Sequence, residues 1–280
     1  MTTTSPGTET SAVVTFENVR IGFDEEDVLR GVSFEVMPQE TLVLLGETGT
    51  GKTLTLKLAA GLLRPTQGKI EVLGQEVSAM SERELLPHRR QLGFVFQEGA
   101  LFDSMSVAEN VAYQLRQDRM SEEEIERRVQ EVLHFVELEQ TVDMLPSELS
   151  GGMRRRVSIA RALAARPPIM LYDSPTAGLD PVTAQTIITL ILRSRDVFGV
   201  TAMLATQRLQ DGFALANFRF DPQSKRVVSL TEKENAIPAR GGNGGPATRF
   251  VLYREGRVYF EGAPEELAES KDAYLQRFLV

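Results

Sequence analysis

The sequence contains no cysteine and only two histidines, His88 and His134. The absence of cysteine excludes a disulfide framework and any metal site built from thiolates, and it is compatible with a reducing compartment. No apolar run approaches the roughly 20 residues that cross a bilayer. Residues 1–11 have neither the charged nor the apolar region of a signal peptide. We therefore expect a cytoplasmic protein that reaches a membrane only through a partner.

The sequence is also poor in positive charge, with 31 Lys and Arg against 39 Asp and Glu and a net charge of -8. A general nucleic-acid-binding protein is usually basic, so the composition disfavours that class. Apolar residues make up 42% and charged residues 25% of the 280 residues, which is ordinary for a globular protein. This length accommodates one large α/β domain with appendages.

Apolar patterning predicts strands and helices that alternate along most of the chain. Alternating apolar and polar side chains indicate strands of a half-exposed antiparallel sheet at 13–16 and 32–36. Continuous apolar runs predict buried strands at 41–45, 92–97, 169–172 and 202–205. Helical spacing predicts helices at 54–63 and 157–165, and the pattern over 106–138 is helical, with Glu122-Glu123-Glu124 early in one helix. Buried strands that alternate with helices indicate an α/β fold with a mainly parallel sheet covered on both faces.

Three segments fall outside this pattern. Residues 1–11 are rich in Thr and Ser and predict a disordered tail. Residues 218–249 interrupt the pattern as an insertion, and their glycine-rich stretch at 241–246 is typical of a flexible linker. Residues 250–280 predict a hairpin, with Glu255-Gly256 at its turn, followed by a last amphipathic helix.

The segment after the first buried strand consists of Gly46, Glu47, Thr48, Gly49, Thr50, Gly51, Lys52 and Thr53. It matches the pattern G-x-x-x-x-G-K-[ST] between a strand and a helix, which predicts a phosphate-binding loop (the P-loop). The glycines let the backbone curl so that N–H groups point at phosphates, and the helix N-terminus adds a favourable dipole. Lys52 is expected to reach the β- and γ-phosphates, and the Thr53 hydroxyl to bind Mg²⁺. The alternative is a glycine-rich turn that happens to end in Lys-Thr.

A carboxylate at the end of a neighbouring strand completes such a site, because it holds Mg²⁺, usually through water. The run Ile169-Met170-Leu171-Tyr172-Asp173 supplies one. In isolation, a plain buried strand with a polar end would have the same sequence. Beside a P-loop, we interpret Asp173 as a metal-site residue together with Thr53.

Two further motifs point to a family. Residues 149–153 read Leu-Ser-Gly-Gly-Met (the signature), and residues 174–180 read Ser-Pro-Thr-Ala-Gly-Leu-Asp. With the P-loop and Gln97, the set resembles the ATP-binding subunits of ABC transporters over about residues 12–217 and again from Phe250. The resemblance implies a P-loop NTPase fold of the ABC type, with an N-terminal antiparallel β subdomain and a helical insert around 98–165.

The resemblance also implies roles for individual residues. Two such subunits would sandwich two ATP molecules, each held by the P-loop of one subunit and the signature of the other. Ser150-Gly151-Gly152 would face the partner's γ-phosphate, which suits the anion preference of a helix start. Asp180 would lie in the loop that crosses the dimer interface, and Gln97 would sense Mg²⁺ and contact the membrane subunit. Phe23 lies near the position where the family stacks an aromatic ring on adenine, although a core Phe at a strand edge is nearly as good an interpretation.

Residues 97–112 and Met153 resemble the subgroup that serves Mce-type lipid import or retrograde phospholipid transport, although other importers and exporters stay open. This implies a second ABC subunit, in a homodimer or heterodimer, and an integral-membrane permease with an Mce-type substrate-binding protein. The chain would then sit peripherally on the inner face of the cell membrane. We interpret Arg154-Arg155-Arg156 as a solvated or interface face of a helix and expect no nucleic-acid partner.

Two positions depart from the family pattern. Ser174 stands where the family has a Glu that polarises the attacking water, and Gln207 follows Ala205-Thr206 where the family has a switch His. A positioned base contributes about 10²–10⁴-fold to a rate. Serine can orient water but cannot accept its proton near neutral pH, whereas Gln207 can still bond a γ-phosphate. We therefore expect Mg-ATP binding with slow hydrolysis.

Several interpretations stay open at this point. The chain could be an active transporter subunit that tolerates Ser174 and Gln207. It could instead be a degenerate subunit whose signature completes the ATP site of a catalytic partner. A non-transport ABC protein is disfavoured, because the chain has one nucleotide module and no long coiled-coil insertion between Lys52 and Ser150. A regulatory nucleotide-binding protein without a membrane partner is the remaining alternative.

Overall fold

The computed structural model describes residues 11–24, 26–230 and 248–279. Its strands are β1 (Val14–Phe23), β2 (Glu26–Val36), β3 (Thr41–Leu45), β4 (Gln67–Val72), β5 (Gln75–Glu76), β6 (Leu92–Val95), β7 (Ile169–Asp173), β8 (Thr201–Ala205), β9 (Phe218–Asp221), β10 (Arg226–Ser229), β11 (Thr248–Arg254) and β12 (Arg257–Gly262). Its helices are α1 (Lys52–Ala59), α2 (Glu82–Arg89), α3 (Val107–Gln117), α4 (Glu122–Phe135), α5 (Gly151–Ala164), α6 (Pro181–Phe198), α7 (Leu209–Asn217), α8 (Pro264–Ala268) and α9 (Ala273–Leu279). The predicted tail, except Ser11, and the glycine-rich stretch at 241–246 lie outside the described residues.

The larger sheet has six strands in the order β12-β11-β3-β8-β7-β6. The strands from β11 to β6 pair in parallel, and β12 pairs antiparallel with β11 at one edge. β3, β7 and β8 are buried along their whole length. This burial explains their continuous apolar runs, and the prediction of a mainly parallel sheet is confirmed.

The two faces of this sheet bury separate hydrophobic clusters, because successive side chains of a strand point to opposite faces. Val43 and Leu45 of β3 belong to one cluster with apolar side chains of α3 to α6. Leu42 and Leu44 belong to the other, with apolar side chains of β1, β2 and α1. The sheet is therefore covered by helices on one face and mainly by the antiparallel subdomain on the other.

The antiparallel subdomain is a four-stranded sheet in the order β2-β1-β4-β5. All of its pairings are antiparallel, as the alternating pattern at the start of the chain predicted. Phe16 and Phe34 pair across β1 and β2, and their rings stack with centroids 4.6 Å apart. Both strands run longer than the sequence pattern indicated.

The helical subdomain between β6 and β7 contains α3, α4 and α5. The helical pattern over 106–138 forms two helices, because α3 ends at Gln117 and α4 begins at Glu122, where the acidic residues were expected early in a helix. The Ser121 hydroxyl caps α4 by accepting a hydrogen bond from the Glu124 amide at 3.3 Å. Acidic residues in the first turn of α4 suit the positive end of its dipole. These features start a new helix instead of continuing the old one.

Three helix predictions need correction, and the first is the helix expected over 157–165, which begins at Gly151 and ends at Ala164. The helix expected over 54–63 begins at Lys52 and ends at Ala59, and Gly61 beyond it has a φ of 63° that a right-handed helix does not allow. The single C-terminal helix expected after the hairpin is divided into α8 and α9. The Asp272 carboxylate accepts hydrogen bonds from the Tyr274 and Leu275 amides at 2.8 and 3.0 Å, and it thereby starts α9 as a separate helix.

The stretch 218–249, expected to lie outside the regular pattern, contains a hairpin of β9 and β10 in its described part. Its last residues, from Thr248, already belong to β11. The predicted C-terminal hairpin is present as β11 and β12. The sequence pattern missed that β11 also pairs in parallel with β3. Among the described residues, no helix is long and apolar enough to cross a membrane.

Candidate nucleotide-binding site

Four loops follow the carboxyl ends of neighbouring parallel strands, which is where open α/β sheets bind ligands. The P-loop follows β3, and Thr206-Gln207 follows β8. Ser174 follows β7, and Gln97 follows β6. The register aligns these ends, because Ala205 pairs with both Leu44 and Asp173, and Val95 pairs with Tyr172. Most of the predicted site residues are therefore brought together by the topology of one sheet.

Lys52 is held inside the P-loop by two backbone carbonyl groups. Its Nζ donates to the carbonyl oxygens of Gly46 at 2.8 Å and Glu47 at 2.6 Å, and the side chain is buried. Burial lowers the pKa of Lys52 from 10.5 to about 8, although the carboxylates of Asp173 and Glu47 oppose this change. A cation that is partly stripped of water and faces a helix start binds phosphate well.

The glycines of the P-loop meet close neighbours. A Cβ on Gly46, which has a φ of 144°, would lie 2.8 Å from the Thr50 Oγ1. A Cβ on Gly51, with a φ of 103°, would lie 2.2 Å from a methyl carbon of Leu29. Gly51 is also the N-cap of α1, where no side chain caps the helix. The amides of the first turn of α1 therefore have no side-chain cap, as an anion site requires.

The Thr53 hydroxyl donates to the Asp173 Oδ1 at 2.8 Å, so the two predicted metal-site residues are in direct contact. Asp173 is only 5% exposed. The described residues contain no group of three or more His, Cys, Asp or Glu side chains that could hold a metal ion unaided. A single carboxylate with a hydroxyl fits Mg²⁺, which takes few protein ligands and completes its shell with phosphate oxygens and water.

Ser174 occupies a constrained position directly after Asp173. Its φ is 47°, in the left-handed region, and its amide donates to the Ala205 carbonyl oxygen at 2.8 Å. Its hydroxyl lies 3.5 Å from the Asp173 Oδ1, at the outer limit of a hydrogen bond. The side chain at position 174 thus lies beside the predicted metal-site carboxylate of Asp173.

Gln207 contacts the P-loop directly. The Thr48 hydroxyl donates to the Gln207 Oε1 at 3.2 Å, and both side chains are exposed. This contact joins the loop after β8 to the loop after β3. It also leaves the Gln207 amide NH₂ as a donor that no described residue accepts.

A buried polar network behind this loop was missed by the sequence interpretation. The Asp211 carboxylate accepts from the Thr176 hydroxyl and, at 3.2 Å, from the Thr206 hydroxyl. The Thr206 Oγ1 in turn accepts from the Arg208 amide at 3.0 Å. Burial raises the pKa of Asp211, and the threonine hydrogen bonds oppose this effect. The network joins the segment after β7 to the loop after β8, and no local sequence pattern marks it.

The signature lies at the start of α5. The Ser150 hydroxyl caps this helix by accepting from the Met153 amide at 3.2 Å, while Ser150 and Gly151 are exposed. A Cβ on Gly152 would lie 2.3 Å from the Thr183 Cγ2 in the first turn of α6. Asp180 caps α6, and hydrogen bonding to Thr183 lowers its pKa. The signature and Asp180 therefore belong to adjoining helix starts.

The two remaining predicted residues are both exposed. Phe23 ends β1 and is 51% exposed, so the alternative of a buried core side chain was wrong. The neighbouring strand β2 contacts the P-loop through Leu29, which packs against Gly51. Gln97 lies in the loop after β6 and makes no side-chain hydrogen bond to any described residue.

The interpretation of Arg154-Arg155-Arg156 as a solvated or interface face was wrong for its central residue. Arg155 is only 5% exposed, because it lies on the side of α5 that faces the sheet. Arg154 and Arg156 are half-buried, and they donate to the carbonyl oxygens of Leu149 at 2.7 Å and Val136 at 3.1 Å.

Comparison with known proteins identifies the class. A family model described as ABC transporter matches residues 29–177. The protein TRIGALACTOSYLDIACYLGLYCEROL 3, chloroplastic, of Arabidopsis thaliana is 40% identical over 96% of this chain and 74% of its own length. The intermembrane phospholipid transport system ATP-binding protein MlaF of Haemophilus influenzae is 30% identical over 81% of this chain and 87% of its own length.

One further relative aligns with a shorter part of this chain, and a solved structure has a similar fold. The methionine import ATP-binding protein MetN of Bifidobacterium longum is 39% identical over 64% of this chain, and the chain spans only 44% of that relative's length. A dimeric structure of the ATP-binding cassette MJ0796, in a post-hydrolysis state bound to ADP and Pi, has a TM-score of 0.72 and 28% identity. That match covers 89% of this chain and 98% of the cassette. The chain therefore belongs to the ABC transporter family, and it has the fold of the family's ATP-binding domain.

Proposed function

We propose that the chain is the nucleotide-binding subunit of an ABC transporter that couples binding and slow hydrolysis of Mg-ATP to lipid transport by a membrane permease. The observation that carries the nucleotide site is the Thr53–Asp173 hydrogen bond of 2.8 Å beside the buried Lys52. Together these groups offer a cation, a hydroxyl and a carboxylate at the mouth of the P-loop.

Bound Mg-ATP supplies the reactive γ-phosphoryl group and the metal charge that stabilises its transfer. Lys52 and the P-loop amides bind the phosphates, and Thr53 with Asp173 holds the metal. The free NH₂ group of Gln207 is a donor for a phosphate oxygen. Ser174 orients a water molecule but cannot take its proton, so hydrolysis is slow. Phe23, exposed at the end of β1, offers a ring face to adenine.

We propose that Ser150-Gly151-Gly152 and Asp180 serve a dimer. Ser150, Gly151 and Asp180 are exposed at adjoining helix starts, where a second subunit could contact them. The dimeric form of the cassette MJ0796 supports pairing of two such domains. Gln97, which is exposed in the loop after the edge strand β6, would contact the permease. This contact would hold the chain at the inner face of the membrane. An Mce-type substrate-binding protein would complete the assembly.

The share of each relative that aligns with this chain favours lipid as the cargo. Two relatives that the chain covers over 74% and 87% of their length are named for trigalactosyldiacylglycerol and for a phospholipid transport system. The methionine importer matches a shorter part of this chain. Methionine transport is the second candidate, and it is distinguished by the cargo that co-purifies with the permease complex.

The first experiment measures steady-state Mg-ATP turnover and ATP affinity of the purified chain, with Lys52→Ala as the blank. Turnover above the blank, with affinity lost in Lys52→Ala, supports a working subunit. ATP binding without turnover supports the degenerate alternative, in which the signature completes a partner's site. Unchanged ATP affinity in Lys52→Ala contradicts the P-loop assignment. Purification of the tagged chain with no permease in stoichiometric amount favours the regulatory alternative.

A further inference from the structure

Arg155 is a buried cation whose guanidinium contacts the loops after β6 and β7 in the candidate site. It lies in the second turn of α5, the helix that begins with the signature. Its Nη1 donates to the Phe96 carbonyl oxygen at 3.2 Å and to the Ser174 carbonyl oxygen at 3.4 Å. Phe96 immediately precedes Gln97, and Ser174 immediately follows Asp173. One side chain thus contacts the backbone of two loops that carry predicted site residues.

Both carbonyl groups also close tight turns. The Phe96 oxygen accepts from the Gly99 amide at 2.9 Å, and the Ser174 oxygen accepts from the Ala177 amide at 3.0 Å. Arg155 therefore donates to the same carbonyl oxygen that accepts the closing hydrogen bond of each turn. The first turn contains Gln97, and the second begins at the position where the family has its water-polarising Glu.

Close packing alone does not explain why a charged guanidinium is buried at position 155. No carboxylate among the described residues lies within ion-pair distance of Arg155, and its Nε has no hydrogen-bond partner. Burial lowers the pKa of Arg155, although the carboxylates of Asp173 and Glu98 attract its charge. A guanidinium nevertheless stays protonated in proteins. A buried charge without a paired carboxylate is costly, so stability alone does not explain why this position carries an arginine.

We propose that Arg155 is a positioning residue that clamps the Gln97 turn to the Ser174 turn and ties both to the signature helix. The proposal rests on the proposed function, because it assigns these turns to ATP hydrolysis. Since α5 is a rigid element, the clamp also joins the chain's own nucleotide site to the signature surface that faces the partner's site. A change at one site would reach the other through a single side chain.

The experiment compares Arg155→Gln and Arg155→Lys with the matched control Arg156→Gln in the full chain without nucleotide. Arg156 is the next residue of the same helix, and its guanidinium donates to Val136 and Glu137 carbonyl groups instead of to these turns. Hydrogen exchange of the Gly99 and Ala177 amides reports the two turns directly. We expect Arg155→Gln to accelerate exchange at both amides by about tenfold. Arg155→Lys should give a smaller change, and Arg156→Gln none at these positions.

The second measurement is Mg-ATP turnover. We expect Arg155→Gln to lower kcat by about tenfold while the affinity for Mg-ATP stays within about threefold, because the residue positions turns and touches no phosphate. Exchange at Gly99 and Ala177 that matches wild type, or that changes equally in Arg156→Gln, overturns the clamp. If Arg155→Gln does not fold, hydrogen exchange of the same two amides in Arg155→Lys tests the clamp instead. The two hypotheses can fail separately. If Arg155→Gln accelerates exchange at both amides but the wild-type chain shows no turnover above Lys52→Ala, the clamp is supported and the hydrolysis in the proposed function is contradicted.

Discussion

The Thr48 hydroxyl donates to the Gln207 Oε1 at 3.2 Å and links the P-loop to the loop after β8. With the Gln207 Oε1 facing the P-loop, the NH₂ end is the one that a phosphate would contact in the proposed function. An amide can donate there but cannot exchange a proton as an imidazole does. In the proposed function, position 207 would keep the phosphate contact of the family's His and lose its acid–base capacity, in parallel with the loss at Ser174.

The first prediction concerns these two departures together. Ser174→Glu with Gln207→His should raise Mg-ATP turnover by about 10²-fold, because a positioned base is restored beside Asp173. The measurement is kcat of the purified variant, and the same pair in a Lys52→Ala background is the control. An unchanged kcat, with Mg-ATP affinity retained, would mean that another step limits the rate.

The main features of the fold were predictable because they rest on local patterns. The continuous apolar run of β3, the P-loop pattern and the following helix identify a phosphate site within one segment. The start of α4 was predictable from its acidic first turn, and Ser121 followed by Glu124 is also a recognisable capping sequence. The pairing of β11 with β3 joins distant segments, and no local pattern encodes it.

The site was predictable only in part, for a similar reason. The P-loop follows the buried strand β3 and Asp173 is the last residue of β7, so their proximity follows from the parallel sheet. Arg155 was misinterpreted because its burial depends on which side of α5 faces the sheet, and three consecutive arginines carry no such information. Asp211 was missed because a carboxylate in the first turn of α7 looks like an ordinary helix start. The catalytic and binding roles of the site residues stay predictions.

The second prediction separates the two glycines of the signature. Gly152→Ala should lower the free energy of unfolding by about 1–3 kcal/mol, because the new Cβ would lie 2.3 Å from the Thr183 Cγ2. Gly151→Ala is the matched control, since its Cβ would meet only a Leu179 methyl carbon at 3.9 Å. Urea unfolding of both variants gives the comparison.

A double variant tests the cause of this difference. Thr183→Ser removes the Cγ2 methyl group, so adding it to Gly152→Ala should restore much of the lost stability. If Gly151→Ala and Gly152→Ala are equally stable, or if Thr183→Ser gives no rescue, close packing of α5 on α6 is not what requires Gly152.

The third prediction concerns pH and Lys52. In the folded chain its pKa is lowered from 10.5 to about 8, mainly by burial. Between these values the unfolded chain binds the proton that the folded chain has lost, so stability rises with pH in this window. Below about pH 8 both states are protonated, and Lys52 adds no slope.

Lys52→Met supplies the reference, because other titrating groups cancel in the difference. The free energy of unfolding of wild type, minus that of Lys52→Met, should increase from pH 8 to pH 10.5 and stay level from pH 6 to pH 8. Urea titrations without nucleotide at each pH give this difference. A difference that falls or stays constant above pH 8 would show that Lys52 is not desolvated in the loop.

The last prediction concerns Asp211, which accepts hydrogen bonds from Thr176 and Thr206. Asp211→Ala leaves two buried hydroxyl groups without this partner, so it should lower the free energy of unfolding by about 1–3 kcal/mol. Because Thr206 directly precedes Gln207, turnover should fall more than Mg-ATP affinity. Asp221→Ala is the control, since Asp221 accepts from the Gln223 and Ser224 amides in the turn between β9 and β10. Equal losses of turnover in the two variants would mean that the network supports the fold without positioning Gln207.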